Sequence, residues 1–184
     1  MEKSEQSSYS LNRNTINIFG VINTDMSERV INLIQYLDDK DVDEITLQIN
    51  SSGGSITAAL AIIDTLSFVR ADIATVCIGQ AIGMAAVLLS AGSKWKRKAT
   101  AHSEIILYQP TGGVDGQTSD IVIEAAHIKK TRDLIRNILS ENTGKSFDVI
   151  AKDTERNFIM DANEAQNYGL IDIVIPYKSK AKEQ

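Results

Sequence analysis

The chain has 184 residues, of which 43% are apolar and 23% charged, and its net charge is −5. That length builds one domain with a sizeable core and leaves little for a second. The acidic balance gives no electrostatic basis for binding nucleic acid, and no apolar run is long enough to span a bilayer.

The first 14 residues, "MEKSEQSSYSLNRN", are polar and hold no apolar core of the kind a secretion signal needs, so a cytoplasmic protein is expected. "TINIFGVI" (15–22) has the β-branched composition of a strand. Asp25-Met26-Ser27-Glu28 has the form of a capping box and predicts an amphipathic helix to about Leu37. "EITLQI" (44–49) is a second strand, followed by "NSSGGS" and a helix whose apolar Ile56, Leu60, Ile63 and Leu66 keep helical spacing. "DIATVCI" (72–78) is a third strand, and the single cysteine, Cys77, reads as a small buried apolar residue with no disulfide partner. It runs into "GQAIGMAAVLLSAG", a glycine- and alanine-rich turn and helix. The basic cluster Lys94-Trp95-Lys96-Arg97-Lys98 reads as a solvated turn. "EIILY" (104–108) is a fourth strand, stopped by Gln109-Pro110 and a glycine-rich stretch. The longest helical pattern runs from 119 to 142 and ends at Thr143-Gly144. A short helix at "ANEAQNYG" and a last strand, "LIDIVI" (170–175), close a single domain over 15–176, with a polar tail at 177–184 that is expected to be loose.

Alternating strands and helices predict an α/β fold with parallel strands and right-handed crossovers. Function in such folds gathers where strand ends meet helix starts. Two such junctions are rich in glycine, Asn50 to Ser55 and Gly79 to Met84. Backbone N–H groups there can hold a phosphate or the oxyanion of an acyl-transfer step, or the glycines can serve only as tight turns. Gly83 stands where a hydrolase of this construction would carry its nucleophile.

Four segments together, "INSSGGSITAALAIIDTL", "IGQAIGMAAVLLSAGSKWKR", "YQPTGG" and "DTERNFIMDANEAQNYGLID", resemble the proteolytic subunit of the Clp protease (ClpP) in order and spacing, over residues 15 to 176. The resemblance implies a crotonase-like fold of repeated β-α-β units in which helix 119–142 is a protruding handle. It implies an ATP-dependent serine endopeptidase with no cofactor and no metal, built as a heptameric ring or a stacked tetradecamer. In that family a cytoplasmic ATPase feeds unfolded protein into the chamber.

Carried over residue by residue, the family's serine falls on Gly83, its histidine on Tyr108 and its aspartate on Asn157. The backbone donors of the oxyanion hole fall on Gly54 and Met84, and both positions match. Glycine offers no nucleophile. Phenols ionise near pH ~10, so tyrosine is a poor base at neutral pH. In a serine-protease precedent, Asp to Asn alone costs about 10⁴ in turnover, and an oxyanion hole by itself retains about 10³ over water. Three replacements together argue against a working protease and for a structural or regulatory subunit, comparable to the family's degenerate R-type (ClpR-like) members, alone or mixed with an active paralogue.

Two alternatives stay open. Ser90 lies two helical turns beyond Gly83, too far from the helix start to use its amides, and Ser51 and Ser52 lie in the other junction. A rearranged dyad would pair a serine such as Ser52 with a histidine, His102 or His127; the crotonase-like fold would also suit binding of an acyl-CoA or another acyl ligand. Thr46 and Gln48 stand where the family's docking pocket has tyrosines, although Phe68 is kept, and this argues against docking of an ATPase. The resemblance assigns Glu155-Arg156 to ring–ring contact, and the apolar stripe Ile121, Ala125, Ile128, Leu134, Ile135 and Ile138 of the long helix to packing between rings.

Overall fold

The computed structural model describes residues 9–10, 14–109 and 116–178. Strand β1 (Tyr9–Ser10) pairs antiparallel with β2 (Thr15–Phe19), so part of the polar N-terminal segment adds an edge to the sheet. The glycine-rich stretch after Gln109 lies outside the described residues, as does the tail beyond Lys178.

A parallel β-α-β succession follows: α1 (Thr24–Asp39), β3 (Glu44–Ser51), α2 (Ile56–Leu66) and β4 (Asp72–Ile82). The expected helix α1 is present, but its cap is Asn23, whose side chain accepts from the Met26 N–H at 2.9 Å. Asp25 already lies in the first turn, where a carboxylate favours the helix dipole without capping it. β3 alternates buried and half-buried residues, with Ile45, Leu47 and Ile49 fully enclosed. α2 starts on Ser55, whose hydroxyl accepts from the Ala58 N–H.

β4 is the strand on which the architecture turns. Its first half pairs with β5 (Arg97–Thr100) and its second half with β6 (Glu104–Leu107), both in parallel. Against β3 the register jumps from Ile49 opposite Cys77 to Ser51 opposite Ala81, so β4 carries a bulge next to Asn50. Helix α3 (Met84–Ser90) leaves the end of β4, and all seven of its residues are buried, as expected of a helix enclosed by sheet and helices. The main sheet has the order β1-β2-β3-β4-β5-β8, where β8 is Ile173–Ile175.

β5 corrects the reading of the basic cluster. Lys94 and Trp95 are exposed, but Arg97 begins a strand and is buried, and its guanidinium pairs with Asp172 at 2.6 Å. Burial pushes the Asp172 carboxyl up, yet hydrogen bonds and charge from Arg97 outweigh it and hold the group below the usual carboxylate range.

Helix α4 (Thr118–Thr143) matches the long predicted helix and stops at Gly144. Its buried residues are Ile135, Arg136 and Leu139, all in the C-terminal half. Through residues 118–131 no side chain is buried, and Ile121, Val122 and Ile123 stand exposed. Two elements not foreseen from the sequence follow, α5 (Phe147–Asp153) and β7 (Phe158–Asp161), the latter antiparallel to β6. α6 (Ala162–Tyr168) completes the chain of helices with a full capping box between Asp161 and Glu164.

Candidate functional site

The two glycine-rich junctions meet backbone to backbone. A Cβ on Gly53 would lie 2.5 Å from the Ile82 carbonyl oxygen and 3.4 Å from the Met84 nitrogen. A Cβ on Gly54 would run into the Ile22 carbonyl, because Gly54 and Ile22 form a parallel bridge. At Gly53 the loop after β3 is thus pressed against the turn after β4, and at Gly54 against Ile22 between β2 and α1, so a side chain at either glycine would force one of these contacts apart.

Gly83 sits in that turn with φ +55° and ψ −118°, a conformation that side chains disfavour. Its N–H donates to the Ile106 carbonyl at 2.8 Å, and its own carbonyl accepts from Ala86 and Val87, which fixes the start of α3. Met84, the first residue of α3, has an N–H with no acceptor within its own helix.

The position expected for the catalytic base comes up against the position expected for the nucleophile. Tyr108 follows β6, and a Cβ on Gly83 would lie 2.7 Å from its hydroxyl oxygen, 2.8 Å from Cζ and 3.0 Å from Cε1. The β6–β7 register runs from Glu104 opposite Asp161 to Leu107 opposite Phe158, so Tyr108 follows and Asn157 precedes the last pair of that ladder. Asn157 is exposed and does not line the cleft described below. So the fold brings Gly83 and Tyr108 into contact, from the start of α3 and the end of β6, while Asn157, just before β7, stays outside the cleft.

Around Gly83 and Tyr108 lies a cleft of about 110 Å³. Gly54, Gly83 and Met84 form one side, Leu107 and Tyr108 another, and α4 closes it with Arg132, Ile135, Arg136 and Leu139. The Arg136 Nε donates to the Thr154 hydroxyl at 3.4 Å and its Nη2 to the Ala151 carbonyl at 3.2 Å. Burial lowers the pKa of Arg136 from its ordinary value and the Arg132 charge acts in the same direction, against the pull of Asp133 and Glu155.

The serines and histidines weighed as substitutes lie elsewhere. Ser51 is buried and its oxygen accepts from the Gly53 N–H at 3.0 Å, while Ser52 is exposed. Ser90 is buried and donates to the Val87 carbonyl. His102 lies on an exposed turn with its ring 5.1 Å from that of Tyr177, and His127 is exposed on α4. None of these five lines the cleft. Thr154 does, but its hydroxyl already donates to the Ile150 carbonyl at 2.7 Å.

Glu155 and Arg156 are exposed after α5, and among the described residues neither forms an ion pair within the chain. Thr46 and Gln48 are half-buried on β3, and Phe68 is 67% exposed. Among the described residues no group of three or more histidine, cysteine or acidic side chains is placed to hold a metal ion, and no helix is long and apolar enough to cross a membrane. The site residues that sequence reasoning missed are Arg132 and Arg136. Their i, i+4 spacing on one helix was a visible signal, but the direction they face was not.

Comparison with known proteins gives a consistent picture. The sequence model described as "Clp protease" matches residues 2–178. A protein of Ligilactobacillus salivarius named ATP-dependent Clp protease proteolytic subunit is 46% identical over 168 residues, covering 91% of this chain and 85% of that relative. A protein of Gloeobacter violaceus named ATP-dependent Clp protease proteolytic subunit 1 is 46% identical over 158 residues, covering 85% of this chain and 80% of the relative.

Proposed function

The chain belongs to the Clp protease family, and from that premise we propose that it is a ring-building subunit whose own peptidase site is inactive. One observation carries this reading: at the turn where the nucleophile belongs there is no side chain, and the ring of Tyr108 takes up the space in front of it. Without a nucleophile no acyl-enzyme forms, whatever the oxyanion donors at Gly54 and Met84 still offer. Asn157 retains hydrogen-bonding capacity but not the charge that would stabilise a protonated base.

Assembly is the role that remains. The outer half of α4 offers Ile121, Val122 and Ile123 to a partner, and the handle of one ring meeting that of another would cover them. Glu155 and Arg156, which form no ion pair among the described residues, suit a reciprocal polar contact between subunits. The ring is heptameric, single or stacked, formed by this chain alone or with an active paralogue. Thr46 and Gln48 leave the docking surface for an ATPase without aromatic anchors, so unfoldase docking through this subunit is weak.

The triple substitution G83S/Y108H/N157D tests this reading. If the site is inherited and disabled at these three positions, the variant gains peptidase activity while its assembly is unchanged. An intact assembly that gains none contradicts the assignment of the three positions.

A further inference from the structure

Arg132 and Arg136 face the same cleft as Gly83 and Tyr108. They lie one helical turn apart, where like charges are neighbours and repel. A single carboxylate, Asp133, stands between them, 3.5 Å from the Arg132 Nε and 3.8 Å from an Arg136 terminal nitrogen. Asp133 is shared further with Lys129, 3.6 Å away, so this one carboxylate faces three cations, and Lys152 and Glu155, of opposite charge, line the outer rim. Arg136 is largely engaged by Thr154 and Ala151. Arg132 is not: its Nε is buried and, among the described residues, donates no hydrogen bond.

A guanidinium beside apolar walls, with a buried Nε that donates no hydrogen bond among the described residues, is a match for a planar anion that accepts two N–H groups side by side. Val87, Ile135 and Leu139 supply those walls. The volume, about 110 Å³, admits one small branched side chain. We infer that the cleft binds a carboxylate carried on a small apolar group, with Arg132 taking the charge and the α3 and α4 side chains taking the hydrocarbon. The inference rests on the reading of the site as non-catalytic, since it gives the cleft a ligand in place of a substrate. The free C-terminus of a short peptide and a simple branched carboxylic acid share this chemistry.

Isothermal titration of the full chain tests it with 4-methylpentanoate, 4-methylpentanamide, and N-acetyl-alanyl-leucine as the free acid and as the amide. The acids should bind at least about tenfold more tightly than the amides, as expected of a charge-assisted contact. R132Q should bring the acid affinity down to the level of the amide and leave the amide affinity unaltered. Tighter binding of the dipeptide acid identifies a peptide terminus, and equal binding of the two acids identifies the small acid; both support the inference. Equal affinity of acid and amide, an R132Q variant that keeps full acid affinity, or no binding of either acid at its solubility limit overturns it. If R132Q does not fold, the acid–amide comparison on the unaltered chain decides alone. Because 4-methylpentanoate has no peptide bond, a chain that proved to cleave peptides would sink the inactive-subunit reading without touching this result.

Discussion

The phenolic oxygen of Tyr108 lies 2.7 Å from the point where a Cβ on Gly83 would stand. The two positions are complementary: an absent side chain at one makes room for a ring at the other. Neither can be restored to a protease-like residue without consequences for its neighbour.

The first prediction is energetic. G83S places a side chain at φ +55° and pushes the Tyr108 ring aside, so it should destabilise the fold by about 1–3 kcal/mol. In G83S/Y108A the penalty should be smaller than the sum of the single changes, with a coupling of at least about 0.5 kcal/mol. Urea unfolding of the four proteins measures this cycle. Strict additivity would mean that the two side chains do not compete for one space.

A second prediction concerns Arg97 and Asp172, which are 5% and 8% exposed and joined at 2.6 Å. D172N leaves the buried guanidinium uncompensated and should cost about 3–5 kcal/mol. The native carboxyl is held below its ordinary range, so the unfolded chain takes up the proton first as pH falls. The stabilisation is therefore complete above about pH 4 and is lost as pH drops through the lower native value. Unfolding measured from neutral pH downward should show this acid loss in the natural chain and a flatter profile in D172N.

Assembly gives a third. Val122 and Ile123 are 64% and 67% exposed, so the double change V122D/I123D removes little packing within the subunit. Subunit stability should stay within about 0.5 kcal/mol, while native mass spectrometry should show the oligomer dissociating. An unchanged oligomer would exclude this part of α4 from the subunit contact.

The fourth separates backbone contact from backbone conformation. Gly20 and Gly53 both have positive φ, +86° and +84°, but a Cβ on Gly20 meets nothing within 4 Å whereas one on Gly53 meets the Ile82 carbonyl at 2.5 Å. G53A should therefore be the more destabilising, by more than about 1 kcal/mol over G20A. Equal losses in thermal or urea unfolding would mean that the two junctions are not pressed together as described.

The sequence made the strand–helix alternation legible because periodicity is a local property. Long-range facts were not legible in the same way. Arg97 looked like one of four cations in a solvated cluster; the ladder of β5 with β4 makes it a strand residue, and a partner 75 residues away, Asp172, takes its charge in the buried position. The D-x-x-E pattern occurs at Asp25–Glu28 and at Asp161–Glu164, and only the second closes a capping box, because Asn23 takes the capping position at the first helix. The four residues of β7 are too short to show a period, and only their pairing with β6 brings the chain around residue 157 back to the end of β6. Of the candidate site, the residue types at 83, 108 and 157 were readable at once. That Tyr108 fills the space in front of Gly83, and that Arg132 faces the same cleft, needed the fold.

The most direct test is to expose the purified natural chain to a fluorogenic dipeptide and, in parallel, to a fluorophosphonate probe read by intact-mass spectrometry. An inactive subunit shows no hydrolysis above buffer and no added mass. Steady turnover together with one probe molecule fixed per chain, mapped to any serine, would contradict the account.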